Sequence, residues 1–179
     1  MHCTNDAHER AKKIKLLAMD VDGTLTDGKI IYDSGGAEIK EFSARDGIGI
    51  RVAQKAGLKT VIITGRASIA LATRAKELDV SRFYTGRQRK MPALDEVLVE
   101  FSLKPDEVAY IGDDLNDIPV MSRVGLAAAV PGAPEEVARI AHACTTAPGG
   151  HGAVREFIEF ILKSQGRWEK AVQSFMDDL

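Results

Sequence analysis

Four short polar clusters in this chain carry groups able to do chemistry together: Asp20-Val21-Asp22-Gly23-Thr24, Thr64-Gly65-Arg66, Lys90, and Gly112-Asp113-Asp114-Leu115-Asn116-Asp117. In an extended chain residues i and i+2 point to the same side, so Asp20 and Asp22 converge on one centre. Two carboxylates held that close repel, share a proton or hold a cation. The pair by itself fits a solvated strand end before a glycine turn equally well. The wider set narrows the chemistry, because aspartates with one hydroxyl and one lysine suit phosphoryl transfer. Oxygen-rich carboxylates suit Mg²⁺. The metal and a lysine neutralise phosphate charge, while the Thr64 hydroxyl and nearby amides bind its oxygens. A carboxylate nucleophile then forms an aspartyl-phosphate, which splits hydrolysis into two easier steps.

The elements that position these groups alternate along the chain. Leu16 to Met19, Lys59 to Ile63 and Val108 to Ile111 are apolar runs that end abruptly at Asp20, Thr64 and Gly112-Asp113. Such runs read as buried strands of a parallel sheet. Phe83-Tyr84 and Gly125 to Val130 add two more strands. Between them, helical spacing and helix-start signals predict helices over 49–56, 68–78, 92–101, 118–123, 135–143 and 153–165. Two β-compatible runs around Ser34-Gly35-Gly36 predict a hairpin over 29–42. The β-then-α order predicts an α/β fold, a Rossmann-like, mostly parallel sheet flanked by helices, with the hairpin as a small insertion. In such a sheet the polar strand ends meet on one edge, where ligands bind. With no internal repeat or long linker, residues 1–179 read as one domain, with 1–12 a flexible tail and 167–179 a C-terminal tail.

Composition excludes several classes. The 26 acidic and 24 basic residues give a net charge of −2, which offers no electrostatic argument for nucleic acid or an anionic membrane surface. No apolar stretch approaches the length that spans a bilayer, and the polar N-terminus lacks a signal-peptide pattern. Cys3 and Cys144 are too few for a disulfide framework, so both are expected as free thiols in a reducing cytoplasm.

The four clusters, in this order, resemble the motifs of the haloacid dehalogenase-like phosphatase superfamily. The resemblance implies that Asp20 is the nucleophile, Asp22 the general acid/base, Thr64 and Lys90 the catalytic phosphate contacts, and Mg²⁺ the cofactor. It implies a metal site made by Asp20, the main-chain carbonyl of Asp22, and Asp113. Asp117 would support the metal's water shell or Lys90, and Asp114 is either a supporting group or a solvated acid beside the site. About 40 positions separate Asp22 from Thr64 and 26 separate Thr64 from Lys90. The predicted elements fill both intervals, which leaves no room for the cap domain that many superfamily members insert there. An uncapped site excludes water poorly unless another chain covers it.

Phe42-Ser43-Ala44-Arg45-Asp46-Gly47-Ile48-Gly49-Ile50 and Gly149-Gly150-His151-Gly152-Ala153-Val154-Arg155-Glu156 narrow the resemblance to the capless 3-deoxy-D-manno-octulosonate 8-phosphate phosphatases. It extends from about Lys13 to Gly166. It implies a homotetramer with hairpins packed together, and a small phosphorylated sugar acid of eight carbons as substrate. Thr64, Gly65, Arg66, Arg74 and Lys90 are the candidate substrate contacts. Arg66 offers a planar fork for the substrate carboxylate, and it favours eight carbons because nine-carbon relatives often carry Glu there. Arg74, eight positions on, faces either the site or solvent. The loop at 149–152 either presents amides to an anion or simply turns. His151 reads as an exposed loop residue, Arg45–Asp46 as a structural ion pair, and Trp168 and Phe175 as packing groups. Two alternatives stand beside this reading: a phosphatase of a nine-carbon ulosonate or other small sugar phosphate, and a non-catalytic regulatory subunit. Intact Asp20, Asp22, Thr64, Lys90 and Asp113 argue against the second.

Overall fold

The computed structural model describes residues 1–177. In chain order its elements are β1 (His2–Cys3), α1 (Ala7–Ala11), β2 (Leu16–Met19), β3 (Ile31–Tyr32), β4 (Glu38–Ile39), α2 (Ala44–Lys55), β5 (Lys59–Ile63) and α3 (Ile69–Glu77). There follow β6 (Arg82–Tyr84), α4 (Met91–Glu100), β7 (Val108–Gly112), α5 (Ile118–Met121), β8 (Leu126–Ala129), α6 (Glu135–Ile140), β9 (Ala143–Cys144), α7 (Ala153–Ser164) and α8 (Trp168–Met176). Seven strands form one sheet in the order β1-β9-β8-β7-β2-β5-β6, parallel except for β1 against β9. The hairpin β3–β4 stands apart as a two-stranded sheet.

Alternation along the strands divides the core in two. Leu17 and Met19 of β2, Ile62 of β5 and Ile111 of β7 face a cluster that includes Ile50 of α2 and Phe157, Ile158 and Ile161 of α7. Leu16 and Ala18, Val61 and Ile63, Val108 and Tyr110 face the other side, against Leu94 and Val97 of α4 and Val120 of α5. Both faces of β2 are therefore dry, which is why its sequence is continuously apolar. Each large side chain buried this way contributes roughly 1.5–3 kcal/mol.

After β2 the chain places β5 and β6 on one flank, then returns to place β7, β8 and β9 on the other. The order thus reverses at β2 and β7, and the crevice beyond their carboxyl ends is where open α/β sheets bind ligands. Register brings Met19 level with Ile62 and Ile111, so Asp20, Thr64 and Asp113 emerge from neighbouring strand ends. The Asp20 amide extends the ladder by donating to the Ile111 carbonyl at 3.0 Å.

Five expectations change. Residues 1–12 form β1 and α1 rather than a loose tail: Ala7 and Ala11 are fully buried, and the Met1 amine pairs with Glu156 at 2.9 Å. The hairpin's paired residues are fewer than 29–42. Helix α2 begins at Ala44, with the Ser43 hydroxyl accepting from the Asp46 amide at 3.3 Å, because the cap outweighs the low propensity of Gly47 and Gly49. Ala143 belongs to strand β9, not to the helix before it. Of the expected tail at 167–179, residues 168–176 form α8, packed by Trp168 and Phe175 against the core, and 178–179 lie outside the described residues. The intervals between Asp22, Thr64 and Lys90 hold only β3, β4, α2, β5, α3 and β6, so the fold has no cap domain.

Candidate active site

Beyond β2 the chain turns sharply, and the amides of Thr24, Leu25 and Thr26 converge on the Val21 carbonyl at 2.8–3.1 Å. Gly23 takes φ +92 in this turn, and a Cβ there would lie 2.0 Å from Asp113 Oδ2. Only glycine lets the turn approach the third carboxylate so closely. Gly149 presses from outside in the same way, since a Cβ on it would lie 1.8 Å from the Gly23 carbonyl oxygen. The Gly150 amide donates to Thr24 O at 3.0 Å, and the Gly152 amide to Asp46 Oδ2 at 3.1 Å. These amides are spent on protein partners. The glycine loop is thus a buttress for the Asp20–Thr26 turn rather than an anion cradle.

At the centre, Lys90 Nζ lies 2.7 Å from Asp20 Oδ1 and 2.6 Å from Asp117 Oδ1, with its side chain wholly buried. Burial works against the ammonium, but Asp20 and Asp117 outweigh it and raise the Lys90 pKa above its ordinary value. Asp117 is fully occupied. Its Oδ1 also accepts from the Tyr110 hydroxyl at 2.5 Å, and its Oδ2 from the amides of Asp113 and Asp114 at 3.0 and 3.3 Å. Asp117 therefore anchors Lys90 and the turn after β7. Asp114 caps that turn through the Leu115 amide at 2.7 Å and is exposed.

Asp20, Asp113 and Asp117 bring carboxylate oxygens within 4.8 Å of one another. Three carboxylates face one ammonium, so the site carries excess negative charge in a buried place. Burial, with Asp117 beside it, pushes Asp20 up to about 6. Burial, with Asp20 and Asp117 nearby, pushes Asp113 up to about 8. Carboxylates this reluctant to ionise together fit a divalent cation, whose charge removes the penalty. With Asp117 fully bonded, Asp20 and Asp113 are the carboxylates free to hold it.

Thr64 is buried at the end of β5, and its hydroxyl accepts from the Arg66 amide at 3.3 Å. Asp22 is not part of the carboxylate cluster. Its Oδ1 accepts from Lys40, and its Oδ2 lies 3.7 Å from Arg66 Nε. The Arg66 NH2 group donates to Glu38 at 2.8 Å and Tyr32 at 3.3 Å. Arg66 thus sits at the crevice, engaged by the hairpin. Gly65 accepts through its carbonyl from Gln88 at 3.0 Å.

Arg74 is not brought to this edge. It pairs with Glu77 at 3.2 Å and donates to the Ser43 carbonyl at 3.5 Å, because Arg66 precedes α3 and helical spacing does not relate the two. Asp46 accepts from the amides of Gly152 and Arg155 at the start of α7, which is its main partnership rather than Arg45. His151 is exposed at the rim of a crevice of about 380 Å³ that Gly23 and Asp113 also line. Two larger grooves, about 930 and 790 Å³, lie away from these carboxylates, and the crevice beside them is the smaller space.

Lys40, Glu38 and Tyr110 were not among the sequence candidates. A hydroxyl inside the apolar run Val108–Ile111 was the one available signal, since a buried Tyr needs a polar partner. Nothing local marks which hairpin residue folds over a strand end.

Known proteins with these features have a consistent identity. The haloacid dehalogenase-like hydrolase family matches residues 84–158. The chain is 43% identical to 3-deoxy-D-manno-octulosonate 8-phosphate phosphatase of Yersinia pestis over 167 residues, covering 93% of this chain and 89% of that protein. The corresponding enzyme of Moraxella catarrhalis, solved with magnesium, phosphate and KDO, superposes with a TM-score of 0.92 at 41% identity, over 96% of this chain and 99% of that one. The cobalt-bound Haemophilus influenzae enzyme gives 0.88 at 34% identity, over 93% and 99%. The chain therefore belongs to the 3-deoxy-D-manno-octulosonate 8-phosphate phosphatase family of haloacid dehalogenase-like hydrolases.

Proposed function

We propose that this enzyme hydrolyses 3-deoxy-D-manno-octulosonate 8-phosphate to the free sugar acid and phosphate, with Mg²⁺ as cofactor. The observation that carries the reading is the under-neutralised pair Asp20 and Asp113 beside Lys90 at the reversal point of the sheet. Asp20 attacks phosphorus and the bond from phosphorus to the sugar oxygen breaks. Asp22 gives that departing oxygen a proton. Asp22 then takes a proton from water, whose oxygen attacks phosphorus, releasing phosphate and restoring the Asp20 carboxylate. Lys90 fixes the attacking carboxylate and offers positive charge to the phosphate, and Thr64 bonds a phosphate oxygen. Asp20, Asp113 and the Asp22 carbonyl would hold Mg²⁺, which neutralises charge developing on the transferred group.

Arg66 is the group we assign to the substrate carboxylate, which favours the eight-carbon acid over a nine-carbon ulosonate. We further read residues 1–179 as one domain that works as a homotetramer in the cytoplasm. Support comes from the uncapped site, with its crevice of about 380 Å³, and from Ile30, Ile31, Tyr32 and Ile39, all exposed on and beside the hairpin. No helix among the described residues is long and apolar enough to cross a membrane. The test is phosphate release from the eight-carbon substrate with and without Mg²⁺, by the wild type and by Asp20→Asn. Turnover needs Mg²⁺ and falls by at least about a thousandfold in the variant; turnover by Asp20→Asn contradicts the assignment.

A further inference from the structure

Lys40 lies one residue past β4, with its side chain only 1% exposed. That is an expensive place for an ammonium group, since a desolvated charge without partners costs several kcal/mol. Its Nζ donates to Asp22 Oδ1 and stands 3.4 Å from Glu38 Oε1. Glu38 in turn holds Arg66 at 2.8 Å, and Arg66 Nε faces the other Asp22 oxygen at 3.7 Å. Arg66 Nε is itself buried, with no hydrogen-bond partner among the described residues. The Asp22 carboxylate, on a turn past the end of β2, is therefore bonded to Lys40 through one oxygen and has Arg66 near the other, and both cations share one hairpin acid.

We infer that Lys40 is a positioning residue: it fixes the Asp22 side chain where a proton can reach the oxygen that leaves phosphorus. Asp22 is 20% exposed on its side chain, and without Lys40 it has solvent to turn into. A misplacement of about 1 Å at a reacting group costs on the order of a hundredfold. The inference rests on the reading of Asp22 as the proton carrier. It also gives the hairpin a second task, because the strand that presents apolar groups outward points Lys40 and Glu38 inward to the site.

The leaving group separates this role from others. A sugar alkoxide cannot depart without a proton, whereas the phenolate of p-nitrophenyl phosphate can. Kinetics of Lys40→Met, Lys40→Arg and Asp22→Asn are compared on the eight-carbon sugar phosphate and on p-nitrophenyl phosphate. Lys40→Met lowers kcat on the sugar phosphate by about a hundredfold or more, and on p-nitrophenyl phosphate by less than about tenfold, at near-constant KM. Lys40→Arg recovers most of the loss. In an Asp22→Asn background, adding Lys40→Met changes the residual rate by less than about twofold, as expected when one residue acts through the other.

Equal losses on both substrates mean that Lys40 only holds the hairpin, and a raised KM at constant kcat makes it a substrate contact; either result overturns the inference. If Asp22→Asn shows the leaving-group dependence and Lys40→Met does not, the inference about Lys40 fails alone. If Asp22→Asn shows none, the reading of Asp22 fails and takes this inference with it.

Discussion

At the scale of single residues, the chemistry rests on charge that the protein leaves unbalanced. Lys90 neutralises one carboxylate of three, and Asp117 is consumed in holding Lys90, Tyr110 and the turn after β7. The pH dependence follows from the raised values of Asp20 and Asp113. Their ordinary value is near 4 when the chain is unfolded. A carboxyl whose folded value is raised favours the folded state while protonated, and that contribution is lost as pH rises from about 4 to about 8. The metal-free protein therefore loses stability across this window, and Mg²⁺, which must displace the protons, restores it. The rise in Tm on adding Mg²⁺ is larger at about pH 8 than at about pH 5, by differential scanning calorimetry. An equal rise at both contradicts the charge argument. In the proposed site Asp113→Asn removes a donor to the cation, and its Mg²⁺ activation midpoint moves up by at least about tenfold.

Among the elements, what the sequence made legible follows from burial. Strands β2, β5 and β7 are dry on both faces, so each reads as an apolar run whose end is marked by its first polar residue. The candidate site gathers at those ends, which is why Asp20, Thr64 and Asp113 stand out in the sequence, whereas Lys90 at the start of α4 and Asp117 on the turn after β7 stand out only as polar residues that join them. Two-residue strands such as β1 and β9 carry too short a pattern to show any period, and Gly47 and Gly49 hid the first turns of α2. Gly49 is there for packing: a Cβ on it would meet the Arg155 side chain at 2.8 Å. Contacts made between elements distant in sequence, such as Lys40 on Asp22 or Asp46 on α7, leave no local trace at all. The last of these is testable. Asp46 is 1% exposed and accepts two amides at the start of α7, so Asp46→Ala leaves buried donors unsatisfied. Urea unfolding of this variant shows a loss of about 2 kcal/mol or more, together with reduced turnover because the glycine loop no longer braces the Asp20 turn. Unchanged stability contradicts that account of the loop.

For the molecule as a whole, a site without a cap needs cover from elsewhere. In the proposed assembly the hairpin's exposed apolar groups supply the surface that recruits it. Tyr32→Glu combined with Ile39→Glu yields a smaller species by sedimentation equilibrium, and kcat/KM on the sugar phosphate falls with it. A variant that keeps the wild-type mass removes the hairpin from the interface. The proposed substrate choice also belongs at this scale, since Arg66 is held between Asp22, Tyr32 and the hairpin acid Glu38 rather than acting alone. The most direct test of the central claim is therefore a side-by-side measurement of kcat/KM, in saturating Mg²⁺, for 3-deoxy-D-manno-octulosonate 8-phosphate and a nine-carbon ulosonate 9-phosphate. The account predicts at least about a tenfold preference for the eight-carbon acid, the discrimination that about 1.4 kcal/mol of transition-state binding provides. Equal values for the two acids contradict it.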